Sequence, residues 1–512
     1  MDLLNEHLLS FTVFLPMAGM LAILALPSKW RTAIRFVSLA ASLFALASAA
    51  AVFARVSGAG DFELVEFASW IPSLGVGYHL GVDGVSALLI LMTAVLLPVS
   101  VLASWREIDR GVKAFHALLM LLATGMMGVF ASLDLFLFYV FWEAVLIPMI
   151  FLIGAWGSAG RIAAAVKFVI FTTAGSVLML AAILYAAVKA GSFDLMDCYS
   201  HVFTVEEQMW LFTGLAVAFA IKVPMIGLHT WLPDAHTEAP TAGSILLAGV
   251  LLKMGTYGFY RFAMPMFPAA VAWSADLMLS LAVAGIIAGA LLAMVQPDLK
   301  RLVAYSSISH MGFVILGLYA LERQAVAGAV LQMANHGITT GGLFLVVGML
   351  YERRRTRMIE DFGGTARSLP ALSAAFIFLG LSSMGLPGLN NFAGEFLVLM
   401  GSFQTRTPYA AAAILGLVFG AVYILWAIAR VFFGPLKNEE ERRMPDLRFR
   451  EYSSLVPIAA IVILVGVWPQ GLLEKVWRSS DAFIRLAKRV EMIAPSSKAV
   501  RPDSARANPV AR

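Results

Sequence analysis

Apolar residues run along this chain in blocks of about 20, the length a helix needs to cross a bilayer, separated by short polar loops. Fourteen such segments are expected, near 8–26, 33–54, 84–104, 114–131, 134–155, 163–188, 209–236, 241–262, 273–294, 300–320, 326–350, 371–402, 409–433 and 454–473. Residues 56–82 break the rhythm. There Phe62, Leu64, Val65 and Phe67 stand among Gly and Pro, which predicts a β-hairpin or loop outside the membrane. Met1–His7 carries Asp2 and Glu6 rather than a basic run, so the first segment is expected to be retained as a span.

Composition agrees with an all-α polytopic membrane protein. Of 512 residues, 60% are hydrophobic and 13% charged, about half the charge of a soluble domain. That excludes a soluble multidomain enzyme, a disordered scaffold and a disulfide-stapled secreted protein. The single cysteine, Cys198, forms no internal disulfide and ligates no iron–sulfur cluster, which takes about four thiolates.

Charge placement orients the segments. Loops after odd-numbered segments hold 21 Lys/Arg, among them Arg106, Lys300, Arg301, Arg353, Arg354, Arg355 and Arg450; the opposite loops hold 5, Arg55, Lys189, Arg261, Arg323 and Arg406. The positive-inside rule puts the odd loops in the cytoplasm and the N-terminus outside. Nine Lys/Arg after Leu473 break this pattern. Residues 474–492 read as an amphipathic helix on the membrane surface, and the Pro/Ser/Ala/Arg-rich 493–512 as disordered. The net charge of +5 therefore points to orientation and lipid headgroups, not to nucleic acid.

Two segments are long and interrupted. The seventh breaks around Ile221-Lys222-Val223-Pro224 and Gly227, the twelfth around Gly385-Leu-Pro387-Gly388-Leu-Asn390-Asn391. Pro224 and Pro387 are separated by five spans, and a tandem repeat of an odd number of spans has its second copy upside down. Paired broken helices in inverted halves are the best sequence pointer to an ion or substrate site. The expected organisation is a three-helix N-terminal part (1–105), two inverted five-helix repeats (106–262 and 263–435), a loop and last helix (436–473), and the tail (474–512).

Most charges lie in loops; six titratable groups do not. Glu143, Lys222, Lys253, His310, His336 and Glu395 all fall inside spans. Each ionised group at that depth costs about 2.5–3.5 kcal/mol. A single Glu–Lys pair could be structural glue, and a lone His is more often a hydrogen-bonded core residue. Four charges and two histidines, two of them beside helix breaks, fit a proton pathway better. His310 and His336 could bind a haem, but a second pair for a transmembrane electron path is missing. His229, His236 and Glu238 could hold a metal, on a spacing that lacks a helical zinc pattern. With no phosphate-binding G-x-x-x-x-G-K-[ST] loop, any pumping must be driven by another subunit or an ion gradient.

The run from Phe219-Ala-Ile-Lys222 through Trp231-Leu-Pro-Asp-Ala-His236 to Ser244, with Gly249-Val-Leu-Leu-Lys253 after it, resembles a signature of the antiporter-like subunits of proton-translocating NADH:quinone oxidoreductase (respiratory complex I). Asp298-Leu-Lys-Arg-Leu to Ser-His310-Met-Gly312 resembles a second. The resemblance covers about residues 80–435. A Glu in the twelfth helix, Glu395, and the lack of a long lateral helix resemble the subunit M branch, the bacterial counterpart of mitochondrial chain 4. The resemblance implies that Glu143 pairs with Lys222, that Lys222 takes the proton, and that Lys253 links at the centre. It further implies that His310 and His336 continue the axis and that Glu395 is the terminal carrier. It implies a non-redox subunit of a translocase with no cofactor of its own, FMN, iron–sulfur clusters and quinone being on partners. Those partners would include the two sister subunits and the lateral helix of the larger one. The alternatives are a subunit of the related multisubunit Na+/H+ antiporters and a passive structural arm.

Overall fold

The computed structural model describes residues 6–437, 442 and 444–489. Helices α1 (Leu8–Ala25) and α2 (Arg31–Arg55) lead into an antiparallel hairpin of β1 (Glu63–Ile71) and β2 (Val76–Val82). Then come α3 (Gly84–Glu107), α4 (Val112–Ala131), α5 (Leu135–Trp156), α6 (Arg161–Ala190), the short α7 (Leu195–Ser200), α8 (Val205–Lys222) and α9 (Trp231–Glu238). Helix α10 (Thr241–Met266) contains two π-helical turns, Leu247–Leu251 and Phe259–Ala263. After it lie α11 (Pro268–Met294), α12 (Leu299–Ala320), α13 (Arg323–Arg354), α14 (Pro370–Ser383) and α15 (Asn390–Thr405). The described chain closes with α16 (Thr407–Phe432), α17 (Phe449–Val467) and α18 (Gln470–Ala487).

Among the described residues twelve helices are long and apolar enough to cross a membrane: α1–α6, α10–α13, α16 and α17. The seventh and twelfth hydropathy segments are each split, into α8/α9 and α14/α15. Helix α10 is wholly enclosed, and α3, α4, α12 and α13 nearly so; α1, α2, α6, α11, α16 and α17 surround them. The outer helices turn large apolar side chains such as Phe44, Val188, Trp273 and Val467 outwards, where hydrocarbon rather than water would meet them.

Helix starts are capped by acidic side chains. Asp83, Asp134, Asp298 and Glu322 each accept from two backbone amides of the first turn of α3, α5, α12 and α13. Each end of the bundle has its own polar network. At the hairpin end, His79 Nδ1 lies 2.5 Å from Asp194 Oδ2, and Lys475 Nζ donates to the Val56 carbonyl at 2.5 Å. At the basic end, Glu107 accepts from the Thr241 amide (3.1 Å), Arg357 meets Asp298 (3.2 Å), and Arg353 grips Glu451 through two bonds of 2.9 and 2.8 Å.

Two expectations need correction. Arg261, expected in a loop, is buried in α10, its Nη2 2.7 Å from Asp83 Oδ2 and its Nε donating to the Tyr257 hydroxyl at 3.2 Å. The boundary of that span falls one turn later than hydropathy suggests, because the Asp83 carboxylate neutralises the arginine. The helix read as lying on the membrane surface over 474–492 turns its apolar face to the protein: Leu473, Val476 and Phe483 are buried, and Phe483 stacks on Tyr260 with centroids 4.5 Å apart. Residues 490–492 and the 493–512 tail lie outside the described residues.

Two outcomes follow from these contacts. Glu451→Gln would leave Arg353 buried without its counter-charge, so thermal unfolding of the detergent-solubilised protein should show a loss of about 3–5 kcal/mol. At the hairpin end, burial, with Asp194, Asp197 and Asp134 adding to it, pushes the Cys198 thiol up to about 12. The thiolate is the reactive form, so at pH 8 only about one molecule in 10⁴ carries it. Iodoacetamide labelling followed by mass spectrometry should be negligible at pH 8, rise about tenfold per pH unit, and become fast once the chain is unfolded in detergent.

Candidate functional site

The two breaks share one backbone design. In the first, the Met225 amide reaches back to the Ala220 carbonyl (2.9 Å) and the Leu228 amide to Met225 (2.9 Å), with Gly227 at φ +91° between. In the second, Leu386 reaches Leu381 (3.1 Å) and Leu389 reaches Leu386 (3.1 Å), with Gly388 at φ +89°. Met225 thus corresponds to Leu386 and Gly227 to Gly388, a shift of 161 residues. The prolines do not correspond to each other: by this register Pro224 matches Gly385 and Pro387 matches Ile226. The hydrogen-bond pattern and the left-handed glycine define each break, and a proline stands beside it.

The freed groups are taken up internally, as they must be at membrane depth. Trp231 Nε1 donates to the Ile221 carbonyl at 2.9 Å. In the second break, Asn335 Nδ2 donates to the Asn390 carbonyl (2.6 Å) and Asn390 Nδ2 to the Asn335 carbonyl (3.2 Å), while Ser382 and Thr339 donate to Asn390 Oδ1 (2.6 and 3.0 Å).

Lys222 is the last residue of α8, where the carbonyl end of a half-helix favours a cation. It is buried, with Nζ 5.1 Å from the Trp142 ring and 5.7 Å from that of Phe168. Glu143 does not touch it: no ion pair within 4.0 Å joins them. Adjacent residues of a helix point about 100° apart. Trp142 is turned inwards against Phe219 (centroids 5.5 Å), which leaves Glu143 half-buried on the outer flank of α5.

The other four groups are brought together. Lys253 Nζ donates to the Ala248 carbonyl (2.5 Å) and lies 2.6 Å from His336 Nδ1. Ala248 belongs to the first π-turn, and a π-turn lets go of the ordinary helical bonding that would have used its carbonyl. The His336 and His310 rings have centroids 5.5 Å apart. His310 Nδ1 is 2.7 Å from Glu395 Oε1 and its Nε2 is 3.1 Å from Ser383 Oγ. Gln332 Nε2 also donates to Glu395 Oε1, at 2.9 Å. No hydrogen bond or ion pair joins Lys222 to Lys253, but their helices are in contact. Gly255 and Gly258 let α10 close on α8, where a Cβ at Gly255 would stand 2.9 Å from the Phe219 carbonyl oxygen.

The rival metal and haem constellations do not assemble. His229 Nδ1 accepts from the Gly227 amide, Glu238 accepts from the Gly160 amide, and His236 stacks on Phe344 (4.5 Å, 12°). Among the described residues no three His, Cys, Asp or Glu side chains converge on a metal position. His310 has both ring nitrogens engaged, by Glu395 and Ser383.

A scan for charge misses the neutral half of this site: Gln332, Asn335, Thr339, Ser382, Ser383 and Asn390. The signal was available on α13, where Gln332 and His336, and Asn335 and Thr339, fall at i, i+4 spacing and so form one polar stripe in an otherwise apolar helix.

A family model described as NADH:quinone oxidoreductase/Mrp antiporter, TM matches residues 132–422. NADH-quinone oxidoreductase subunit M of Rhodobacter capsulatus is 41% identical over 484 residues, 91% of this chain and 94% of that one. NADH-ubiquinone oxidoreductase chain 4 of Marchantia polymorpha is 39% identical over 482 residues, 94% of this chain and 97% of its own. Among solved structures, a chain of respiratory complex I from Thermus thermophilus with bound NADH matches with TM-score 0.87 and 34% identity, over 94% of this chain and 99% of that chain.

The matched breaks carry a prediction of their own. A Cβ at Gly227 or Gly388 would meet nothing within 4 Å, so alanine at either position is penalised by its backbone conformation alone. The cost should be about 1–2 kcal/mol and nearly equal at the two positions. Unequal losses in denaturant or thermal unfolding would show that the two turns are not built alike.

Proposed function

The chain belongs to the NADH:quinone oxidoreductase/Mrp antiporter family, and we propose that it carries protons across a bacterial inner membrane as the subunit M type of that family. Its relatives of about 40% identity over more than nine-tenths of the chain are subunit M and chain 4 of NADH dehydrogenases. This favours the oxidoreductase over the Na+/H+ antiporter within a family that contains both. The observation that carries the relay is the enclosed chain from Lys253 through His336 and His310 to Glu395, with contacts of 2.6 and 2.7 Å at its two ends.

A proton on Lys253 passes along its hydrogen bond to His336, and one on His310 passes to Glu395. Between the two rings, whose centroids are 5.5 Å apart, the proton enters His310 at Nε2 through the Ser383 hydroxyl that this nitrogen meets at 3.1 Å, with water completing the path from His336. Lys222 loads the relay. Its ammonium sits among aromatic faces, so the charge that most favours its protonated form is the carboxylate of Glu143, acting through space past Trp142. When that charge is withdrawn or neutralised, the buried ammonium loses its support and releases the proton inwards. The chain holds no redox centre of its own. FMN, iron–sulfur clusters and quinone belong to partner subunits, and their chemistry reaches this chain as an electrostatic change passed along the membrane arm. The partners are the two sister antiporter-like subunits, the lateral helix of the larger one, and lipids.

The same reading gives the topology. Each split pair, α8/α9 and α14/α15, crosses as one interrupted span, making fourteen spans with the basic end cytoplasmic and the N-terminus periplasmic. Residues 106–262 and 263–435 are then inverted halves; the shared turn at the two breaks supports that reading.

Replacing Glu143 tests the relay. Glu143→Gln should abolish NADH-driven pumping per assembled complex in membrane vesicles while leaving assembly on native gels largely intact, because Gln keeps the shape but not the charge. Glu143→Asp should retain part of the activity. Normal pumping by the assembled Gln variant would sink the assignment.

A further inference from the structure

We propose that Gln332 is the positioning residue that commits a proton to Glu395, by turning its side-chain amide over once the carboxyl is protonated. This rests on reading Glu395 as a relay group. Gln332 is fully buried on α13, one turn before His336. Its Nε2 donates to Glu395 Oε1 at 2.9 Å, the oxygen that His310 Nδ1 approaches to 2.7 Å. Its own Oε1 is buried and has no hydrogen-bond partner among the described residues.

The arrangement fits one protonation state and is half-prepared for the other. An ionised carboxylate only accepts, and two N–H groups on one oxygen suit it. A protonated carboxyl must donate. In the transfer, the N–H bond at His310 Nδ1 breaks and an O–H bond forms at Glu395; the imidazolium becomes neutral imidazole, the carboxylate a neutral acid, and no electrons change hands. The new proton then faces the nitrogen it has just left, and would return. A half-turn of the Gln332 amide about its last, broadly two-fold torsion exchanges nitrogen for oxygen with little change of shape. It presents the unused Oε1 as an acceptor. The Glu395 proton swings to that carbonyl, and the path back to His310 is broken.

The neighbouring helix leaves room for the amide. Residue 394, immediately before Glu395, is glycine, and a Cβ there would stand 2.5 Å from Gln332 Oε1 and 3.0 Å from Gln332 Cβ. Helix α15 is cut away beside the group that has to turn.

Two variants read this from opposite sides, in the whole complex in membrane vesicles. Gln332→Met keeps the bulk but neither donates nor accepts appreciably. Gly394→Ala keeps the amide but puts a methyl 2.5 Å from where Gln332 Oε1 now rests and 3.0 Å from Gln332 Cβ, leaving the amide no room to turn. Each should lower NADH-driven pumping per assembled complex on the order of tenfold, the effect of one lost hydrogen bond to a charged group. Each should also move the infrared carbonyl stretch of protonated Glu395, identified as the band missing in Glu395→Gln, to higher wavenumber, since the acid has lost its acceptor. Wild-type pumping with an unmoved band in either assembled variant overturns the amide switch and leaves the relay standing. Normal pumping by Glu395→Gln overturns the relay, and the switch with it.

Discussion

Hydrocarbon supplies no hydrogen bonds, and every polar atom in this bundle is placed under that constraint. A buried amide or carbonyl without a partner costs free energy comparable to a lost hydrogen bond, and an isolated charge costs more. A chain that must keep lysines, histidines and glutamates at membrane depth therefore has to give each one a partner or an enclosure. For all but Glu143, which stays half-buried, the solution here is central burial. Helix α10, the carrier of Lys253, touches no outer surface, and the nearly enclosed α12 and α13 bring His310 and His336 against it. The outer helices keep their lipid-facing surfaces apolar.

The same constraint explains why the helices are irregular where the polar groups sit. A regular helix consumes its own carbonyls and leaves nothing to bind an ammonium. The π-turn before Lys253 releases the Ala248 carbonyl to it, and the two broken helices end or begin half-helices beside Lys222 and Glu395. Each irregularity is then closed by a side chain: Trp231 at the first break, the reciprocal Asn335–Asn390 pair at the second. At both breaks it is a neutral polar residue that completes the backbone, and at the π-turn it is Lys253 itself.

Much of this was legible in the sequence because charge in an apolar span is conspicuous. Lys222, Lys253, Glu143, Glu395, His310 and His336 announced themselves, and Gly-Pro runs marked both interruptions. What the sequence hides is what depends on direction instead of position. Trp142 and Glu143 are neighbours in the chain, but the turn of the helix sends one towards Lys222 and the other to the outer flank. The prolines suggested an alignment of the two breaks that the hydrogen bonds place two residues away. Gln332 and Asn335 carry no charge and so did not stand out, and Arg261 passed for a loop residue because its counter-charge, Asp83, lies 178 positions away in the chain.

The strap formed by α18 also sets a timetable. Lys475 bonds to Val56 across 419 residues of chain, and Phe483 and Arg489 fasten onto Tyr260 and Tyr199. At about 5–20 residues per second, synthesis needs roughly 20–80 s to travel from the hairpin to the strap. Arg261 is made about halfway through, and from then until α18 follows its buried pair with Asp83 at the hairpin end has no lid. The finished seal is a late event of biogenesis, and a ribosome that stops short of α18 would release a bundle whose helices are all inserted and whose one end still stands open.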